Sequence, residues 1–364
     1  IFDPGEIGAA AKLVNSNGGD WGYVTVLVRT DDLNQAKWSK FFATTKELHI
    51  IPIVRLSTQF ENGSWKVPVD QDIVKLANFL DSFDWPTKNR YIVSFNEPNH
   101  TKEWGGQINP VQFTKVLSLV NQIFKAKSDD YYLLSAGMDM AAGNTKTTMN
   151  ALEFYRQMHL ANPKWHEFID GLAVHIYPNN HTGINSYRTE QDYLRSLGYP
   201  AKLIFITESA PSLIQPWTDA NIVAITPFVL FAGAGDFARF SLLTPSLSPT
   251  QNYLALQNLP KMAGSPIVST AKIAKSRITG YEPVVLGAST SKWQEIWEWF
   301  FPKPVPTPKP IMTIKNQEIL IEVAQTEKER QRGLSGRQGL GENSGMLFKM
   351  GSPARHSFWM KDMN

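Results

Sequence analysis

Residues 91–99 read YIVSFNEPN, a short apolar run followed directly by a polar tetrapeptide. The run is β-branched and aromatic and does not alternate with polar residues, which is typical of a strand covered on both faces, as in a parallel sheet. Six further runs of five to seven residues share this character: residues 23–28, 50–56, 132–136, 172–177, 203–207 and 237–243. The pattern therefore predicts seven strands.

The segments between the runs carry helical spacing. Residues 70–83 and 110–124 place apolar side chains three and four positions apart, which predicts amphipathic helices. Alternating strands and helices indicate an α/β fold with right-handed crossovers. A closed (β/α)₈ TIM barrel needs an eighth strand, and Ile1, Phe2 and Asp3 read as the end of a truncated first strand. An open doubly wound sheet is the alternative.

A proline-rich segment divides the chain. Residues 301–310 read FPKPVPTPKP and contain five prolines, which neither a helix nor a sheet accommodates, so the segment is predicted to be an extended linker. The predicted organisation is a barrel over residues 1–300, the linker, and a small β-rich domain over residues 311–364, which opens with a strand-like MTIKNQEILIEVA.

Composition excludes several classes of site. The 364 residues contain no cysteine, so disulfides, thiolate catalysis and cysteine-ligated metals are excluded. With 36 basic and 33 acidic residues the net charge of +3 gives no reason to expect a nucleic-acid partner. No apolar run reaches the roughly 18 residues of a membrane span. The histidines lack metal-ligand spacing and no phosphate-binding glycine loop is present, so we expect neither a metal nor a cofactor.

Polar side chains follow the predicted strands at the edge where parallel sheets bind ligands. Two of them, Glu97 and Glu208, are carboxylates at strand ends. Cleavage of a glycosidic bond needs such a pair: one carboxyl group protonates the leaving oxygen, and the other attacks the anomeric carbon or activates water. The candidate substrate-binding residues are Asn96, His175, Tyr177, Arg29, Arg55, Trp104 and Trp217. Taken alone, His175 reads equally well as a hydrogen-bonded core histidine, and Asp139 and Asp236 as ordinary loop acids.

Three motifs, SFNEPN (residues 94–99), VHIYP (174–178) and ITES (206–209), resemble the retaining (β/α)₈ glycoside hydrolases of clan A. The resemblance covers about residues 1–250, and in that clan an Asn-Glu pair ends strand four and a second Glu ends strand seven. It implies Glu97 as acid/base, Glu208 as nucleophile, Asn96 as hydrogen-bond partner of the substrate 2-hydroxyl and Tyr177 as support for Glu208. Two departures stand out: the predicted eighth strand, residues 237–243, lacks a tryptophan, and the choice between Arg29 and Arg55 stays open.

The tail resembles a small bacterial domain of unknown function, family 192. The residues that carry this resemblance are EVAQTEKERQRGLSGRQ (322–338), SGMLF (344–348) and SFWMKDMN (357–364). That family implies no chemistry, and this copy is expected to stop in mid-domain.

The sequence thus predicts a retaining β-glycoside hydrolase that cleaves a poly- or oligosaccharide by double displacement. A non-catalytic carbohydrate-binding barrel of the cell envelope is the alternative, and a scaffold that contacts protein partners through WQEIWEWFF (residues 293–301) is a weaker one. Because polysaccharides lie outside cells, we expect an extracellular or cell-envelope location. Protein partners stay open.

Overall fold

A computed structural model describes residues 1–177, 185–210, 219–233, 237–269, 311–314, 317–324, 330 and 343–349. The chain divides into two compact units, Ile1–Phe300 and Phe301–Asn364. Several features named from the sequence lie outside the described residues: Asp236, Trp217, residues 293–301, the predicted linker and the last tail motif.

The first unit alternates strands and helices along the chain. Its strands are β1 (Gly22–Arg29), β2 (Ile50–Ser57), β3 (Phe60–Glu61), β4 (Ser64–Trp65), β5 (Arg90–Val93), β6 (Tyr131–Leu134), β7 (Leu172–Ile176), β8 (Ile204–Ser209) and β9 (Ile222–Ile225). Its α-helices are α1 (Ile7–Val14), α2 (Gln35–Glu47), α3 (Asp70–Asp81), α4 (Pro110–Lys127), α5 (Ala151–Ala161), α6 (Ser186–Ser196) and α7 (Gln251–Asn258). Within the described residues, no helix is both long and apolar enough to cross a membrane.

Seven of these strands run parallel and neighbour one another in chain order. They form two sheets, β1-β2-β5-β6 and β7-β8-β9, while β3 and β4 make a separate hairpin. A parallel bridge between Leu134 and Gly171 joins β6 to β7, and the hydroxyl groups of Thr25 and Thr226 meet at 2.8 Å between β1 and β9. The amino group of Ile1 donates to the carbonyl of Thr25 at 2.8 Å. This mixed α/β architecture with parallel strands in succession is the predicted one.

Two predicted strand segments are wrong. Ile1, Phe2 and Asp3 form no strand and lead directly into a 3₁₀ helix, Pro4–Glu6. Residues 237–243 contain a 3₁₀ helix, Ala238–Phe240, and the strand that pairs with β8 is β9. The run in β9 is only four residues long, shorter than the runs that identify the other strands. Leu242 and Leu243 still donate backbone hydrogen bonds, but they do so to Val229 and Leu230 rather than to β8.

Capping residues and amphipathic spacing explain where the helices form, and α4 is an example. In α4, the side chain of Asn109 accepts a hydrogen bond from the backbone of Gln112 at 3.0 Å, and Pro110 occupies the first turn, where its missing N–H costs nothing. Apolar residues spaced three or four apart then bury one face: Phe113, Leu117, Val120 and Phe124.

Two layers of core position the strand ends. The outer layer lies between the helices and the strands, and the inner one fills the barrel with Ile51, Ile53, Tyr91, Val93, Leu134, Ala173, Phe205 and Ala224. Because side chains alternate along a strand, Ile51 and Ile53 set the inward face of β2, and Arg55 is the next residue on it. The inward face of β7 likewise continues from Ala173 to His175.

The second unit contains a three-stranded sheet in the order β10 (Ile311–Ile314), β11 (Gln317–Ala324) and β12 (Ser344–Phe348). β10 pairs antiparallel with β11, and β11 pairs parallel with β12. This sheet agrees with the β-rich character predicted for the tail.

Candidate active site

The carboxyl ends of four strands bring the predicted residues together. β2 supplies Arg55, β5 is followed by Asn96 and Glu97, β7 carries His175, and β8 carries Glu208. The side chains of Arg55, His175 and Glu208 are buried. These residues therefore lie together at the carboxyl ends of the parallel strands.

A β-bulge turns Glu208 into the site. Val174 pairs with Ile206, but His175 pairs with Glu208, so Thr207 is an extra residue on β8. Phe205 points into the barrel, and regular alternation would therefore point Glu208 outward. The bulge reverses this alternation and places Glu208 on the same side as His175.

The turn after β5 holds Glu97 in an unusual backbone conformation. Phe95 has φ 71° and Glu97 has φ 27°, both in a region that residues with a β-carbon rarely adopt. The backbone N–H of Glu97 donates to the carbonyl of Gly137 at 3.1 Å, and Asn96 bridges to the same glycine. Such strain persists only where the surroundings fix it, and it concentrates at functional sites.

One imidazole lies between the two glutamates. Nδ1 of His175 is 2.7 Å from Oε1 of Glu97 and 3.8 Å from Oε2 of Glu208. Ligand-type atoms of these three residues all lie within 4.8 Å of one another, which includes one oxygen of each carboxylate. The two carboxyl groups thus face a common space.

Hydrogen bonds and charge keep Glu208 ionised. Nη1 of Arg55 donates to Oε1 of Glu208, and the hydroxyl of Tyr177 donates to Oε2 at 2.8 Å. Burial raises the pKa of Glu208, but the charges of His175 and Arg55 and these two hydrogen bonds outweigh it, so the pKa lies below its ordinary value. Glu208 is therefore a carboxylate at neutral pH.

His175 is buried among charges of opposite sign. Burial lowers its pKa, yet the negative charge of Glu208 and the hydrogen bond to Glu97 outweigh burial, and the pKa lies above its ordinary value. Its ring packs against Gly137, where an added β-carbon would lie 2.3 Å from Nε2. The imidazole can occupy this position only because residue 137 has no side chain.

Of the two predicted arginines, Arg55 is the one whose side chain contacts Glu208. Its Nη1 donates to Oδ1 of Asn96 at 2.7 Å as well as to Glu208. With Oδ1 engaged, the amide NH₂ of Asn96 faces away from Arg55 and is left to donate elsewhere. Arg29, by contrast, makes an ion pair with Asp31 at 2.8 Å.

The prediction that Trp104 binds substrate directly is wrong. Trp104 is 1% exposed and packs edge-to-face against Phe95 and Phe113, and its Nε1 donates to Gln112. A ring enclosed by its own core has no free face for a sugar. Tyr177, whose hydroxyl contacts Glu208, does belong to an aromatic cluster: its ring packs on Phe240 at 5.6 Å, and Phe240 packs on Phe228 at 6.0 Å.

Three ionisable residues near the site were missed or judged ordinary from the sequence. Glu103 interacts with the side chain of Asn96 and with the charge of Glu97. Nε2 of His100 lies 2.9 Å from Oδ2 of Asp139, and a backbone bridge joins Asp139 to His175. These residues could have been suspected from the sequence, because positions 97, 100 and 103 follow a predicted strand end at intervals of three residues.

Glu97, His175 and Glu208 are the residue types that could hold a metal ion, and their atoms are close enough. Nδ1 of His175 and Oε1 of Glu97 instead bind each other, and the two oxygens of Glu208 accept hydrogen bonds from Arg55 and Tyr177. The buried guanidinium of Arg55 would oppose a second cation, so the geometry assigns no metal here.

The first unit is similar in fold to solved β-xylosidase structures. A monomeric beta-xylosidase from Caulobacter crescentus CB15 matches with a TM-score of 0.53 and 12% identity, over 71% of this chain and 66% of that one. A GH39 beta-xylosidase from Caulobacter crescentus matches with a TM-score of 0.52 and 12% identity, over 71% and 69%. This chain thus spans about two thirds of their length. A comparison with curated proteins finds no match.

In the tail, residues 310–364 match the model of family DUF192, described as an uncharacterized ACR. This agrees with the resemblance of residues 311–364 to family 192. The chain therefore joins a unit with a fold similar to that of the solved beta-xylosidases to a segment that matches the DUF192 model.

Proposed function

We propose that this protein is a retaining β-glycoside hydrolase acting on an oligo- or polysaccharide. The observation that carries the proposal is the approach of Glu97 and Glu208, with carboxylate oxygens within 4.8 Å of each other beside His175. Retaining enzymes hold their two carboxyl groups about 5–5.5 Å apart, whereas inverting enzymes need roughly 6.5–9.5 Å to admit a water. The short separation favours retention.

In the first step Glu208 attacks the anomeric carbon while Glu97 protonates the departing oxygen. Arg55 and Tyr177 hold the attacking carboxylate ionised and fixed in direction. The bond from the anomeric carbon to the leaving oxygen breaks as the bond to Glu208 forms, giving a covalent glycosyl-enzyme.

In the second step Glu97 takes a proton from water, and the water oxygen displaces Glu208. His175, at 2.7 Å, holds the Glu97 carboxyl group in place through both steps. The NH₂ group of Asn96 has two hydrogens; one serves the hydrogen bond with Glu103, and the other can donate to the 2-hydroxyl of the sugar. Two displacements restore the original anomeric configuration.

The first substrates to test are aryl β-xylosides and β-glucosides. The solved structures similar in fold are described as β-xylosidases, which motivates the xyloside. A polysaccharide substrate also leads us to propose an extracellular or cell-envelope location.

The test compares the purified protein with Glu208→Ala and with Glu153→Gln, a control on the outer helix α5. The wild type and the control are expected to release the aryl alcohol with a β-configured first product, seen by NMR. Glu208→Ala is expected to be inactive, and added azide should restore release and give the α-glycosyl azide, since azide enters the space of the missing carboxylate. Equal rates in Glu208→Ala, or an α-configured wild-type product, would overturn the proposal. Glycan binding without turnover in the wild type would point to a carbohydrate-binding barrel instead.

A further inference from the structure

The side chain of Asn99 is bonded to the main chain of the loop that follows β6, here called the β6 loop (residues 137–149). Asn99 is fully buried. Its Nδ2 donates to the carbonyl oxygens of Asp139 and Met149, each at 3.0 Å, and its Oδ1 accepts from the backbone N–H of Asp139 at 3.3 Å. An amide side chain has two N–H donors, and both are used here. One side chain therefore satisfies three main-chain groups of the β6 loop.

These bonds bring the two ends of the β6 loop together. The backbone N–H of Met149 also donates to the carbonyl of Asn99 at 2.9 Å, and an antiparallel bridge between His100 and Thr148 continues the contact. Bringing the ends of a loop together costs conformational entropy, and the bonds to Asn99 offset that cost. Asn99 thus fastens the turn after β5 to the β6 loop.

The start of the β6 loop contacts both Glu97 and His175. The backbone N–H of Glu97 donates to the carbonyl of Gly137 at 3.1 Å, and the ring of His175 packs on the same glycine. A parallel backbone bridge joins Asp139 to His175. A displacement between the β6 loop and the turn after β5 would therefore change the distance between Glu97 and His175.

The turn that carries Glu97 depends on its surroundings for its conformation. Glu97 has φ 27° and Phe95 has φ 71°, values that residues with a β-carbon rarely adopt. Such a backbone relaxes unless the structure around it holds it. Asn99, two residues after Glu97, supplies bonds that hold it to the β6 loop.

We propose that Asn99 is a positioning residue, which keeps the carboxyl group of Glu97 in hydrogen-bond contact with His175 by fastening the turn after β5 to the β6 loop. Because Asn99 is fully buried, it does not touch a substrate and acts through Glu97. The consequence for catalysis rests on the proposed function, since proton transfer to the leaving oxygen requires Glu97 in one geometry. The geometric role does not rest on it.

Asn15 provides a matched control at the opposite end of the strands. Its Nδ2 donates to the carbonyl oxygens of Leu48 and His49 at 2.9 and 3.2 Å, and its Oδ1 accepts from the backbone N–H of Gly22 at 2.8 Å. Gly22 begins β1 and His49 precedes β2, so these bonds lie at the amino ends of the strands. Replacing either asparagine by aspartate keeps the shape and the Oδ1 acceptor but removes both N–H donors. A role in folding alone predicts a loss of stability, and nothing else, at both positions.

The contact between Glu97 and His175 is measured by NMR, without any need for turnover. A proton on Nδ1 of His175, held by a carboxylate oxygen at 2.7 Å, gives a downfield imidazole signal, which His175→Gln identifies by its loss. We expect this signal to vanish or move upfield in Asn99→Asp, and also in Asn99→Ala, which removes the same bonds without adding a charge. It should persist in Asn15→Asp. An unchanged signal in both Asn99 variants would overturn the proposal.

Steady-state kinetics on an aryl β-xyloside separates positioning from folding, and circular dichroism checks that each variant folds. In Asn99→Asp, kcat should fall roughly a hundredfold, as for a misplacement of about 1 Å, while KM stays near its wild-type value because Arg55 and Glu208 lie on other strands. Asn15→Asp should keep the wild-type kcat.

Two kinetic outcomes would overturn the positioning role. One is a wild-type kcat in the Asn99 variants. The other is that neither Asn99 variant folds, because Asn99 would then serve the fold rather than the site. A protein that cleaves no glycoside, but loses the His175 signal in the Asn99 variants alone, would leave the positioning role standing and refute only the hydrolase.

Discussion

The imidazole of His175 rests on the bare Cα of Gly137, where a β-carbon would lie 2.3 Å from Nε2 and from Cδ2. Gly137→Ala must displace the ring, because the ring is buried and its Nδ1 is bonded to Glu97. We expect kcat to fall by at least about a hundredfold, as for the loss of a general acid or base, in a protein that stays folded. Steady-state kinetics together with a thermal melt checks both parts.

Gly143→Ala is the matched control for this substitution. Gly143 is exposed, and a β-carbon there meets nothing within 4 Å. Its activity should equal that of the wild type. Equal activity in Gly137→Ala would mean that the position of His175 does not matter.

Tyr177→Phe removes one of the hydrogen bonds that stabilise the Glu208 anion. The pKa of Glu208 lies below its ordinary value partly because of this bond, so its loss raises that pKa. Protonated Glu208 cannot attack, and the acid limb of the kcat/KM profile should move to higher pH by about one unit. Tyr253→Phe, on α7, should leave the profile in place. A profile shifted to lower pH would contradict the assigned role of Tyr177.

Trp104→Phe separates a core role from a substrate-binding one. The indole fills space between Phe95 and Phe113, so a smaller ring should cost about 1–3 kcal/mol of unfolding free energy. KM should stay at its wild-type value, since the ring does not reach the site. A raised KM with full stability would restore Trp104 as a sugar contact.

Glu190→Gln should change how stability depends on pH. Glu190 is fully buried on α6 and accepts a hydrogen bond from Tyr155, and burial raises its pKa from 4.5 to about 8. Between these values the unfolded chain releases a proton that the folded chain keeps, so Glu190 reduces stability as pH rises. The stability gained by Glu190→Gln relative to the wild type should therefore increase from pH 5 to pH 8.

Urea unfolding followed by tryptophan fluorescence at both pH values measures this difference. Glu153→Gln serves as the control, because its hydrogen bond to Arg156 lowers the pKa of Glu153 to about 2, well below the range. A constant difference between wild type and Glu190→Gln across the range would contradict a neutral buried Glu190.

The alternation of buried runs and helical segments was enough to predict the parallel strands, because a strand covered on both faces must be apolar throughout. β2, with all eight residues buried, is the clearest case. The same pattern did not predict β9, because its apolar run of four residues is shorter than the runs of the other strands. It also predicted a strand at residues 237–243, where the apolar run contains a 3₁₀ helix.

The two glutamates were found from their places after strands, but the reason they meet was not visible in the sequence. Simple alternation points Glu208 outward, and only the extra residue Thr207 on β8 corrects it. Trp104 was misplaced because a tryptophan in a loop gives no indication of whether it turns inward. Glu103 was passed over because a glutamate in a loop is ordinarily solvated, and its neighbours depend on how the turn coils.

The left-handed backbone at Glu97 bears on how such barrels diverge. At a φ of 27° glycine has the lowest conformational energy of the amino acids, but glycine has no carboxylate. A related barrel that is selected only for folding would therefore gain stability if glycine replaced the glutamate at this position. In a collection of related barrels, the residue at this one turn would therefore separate lineages maintained for their chemistry from those maintained as scaffolds.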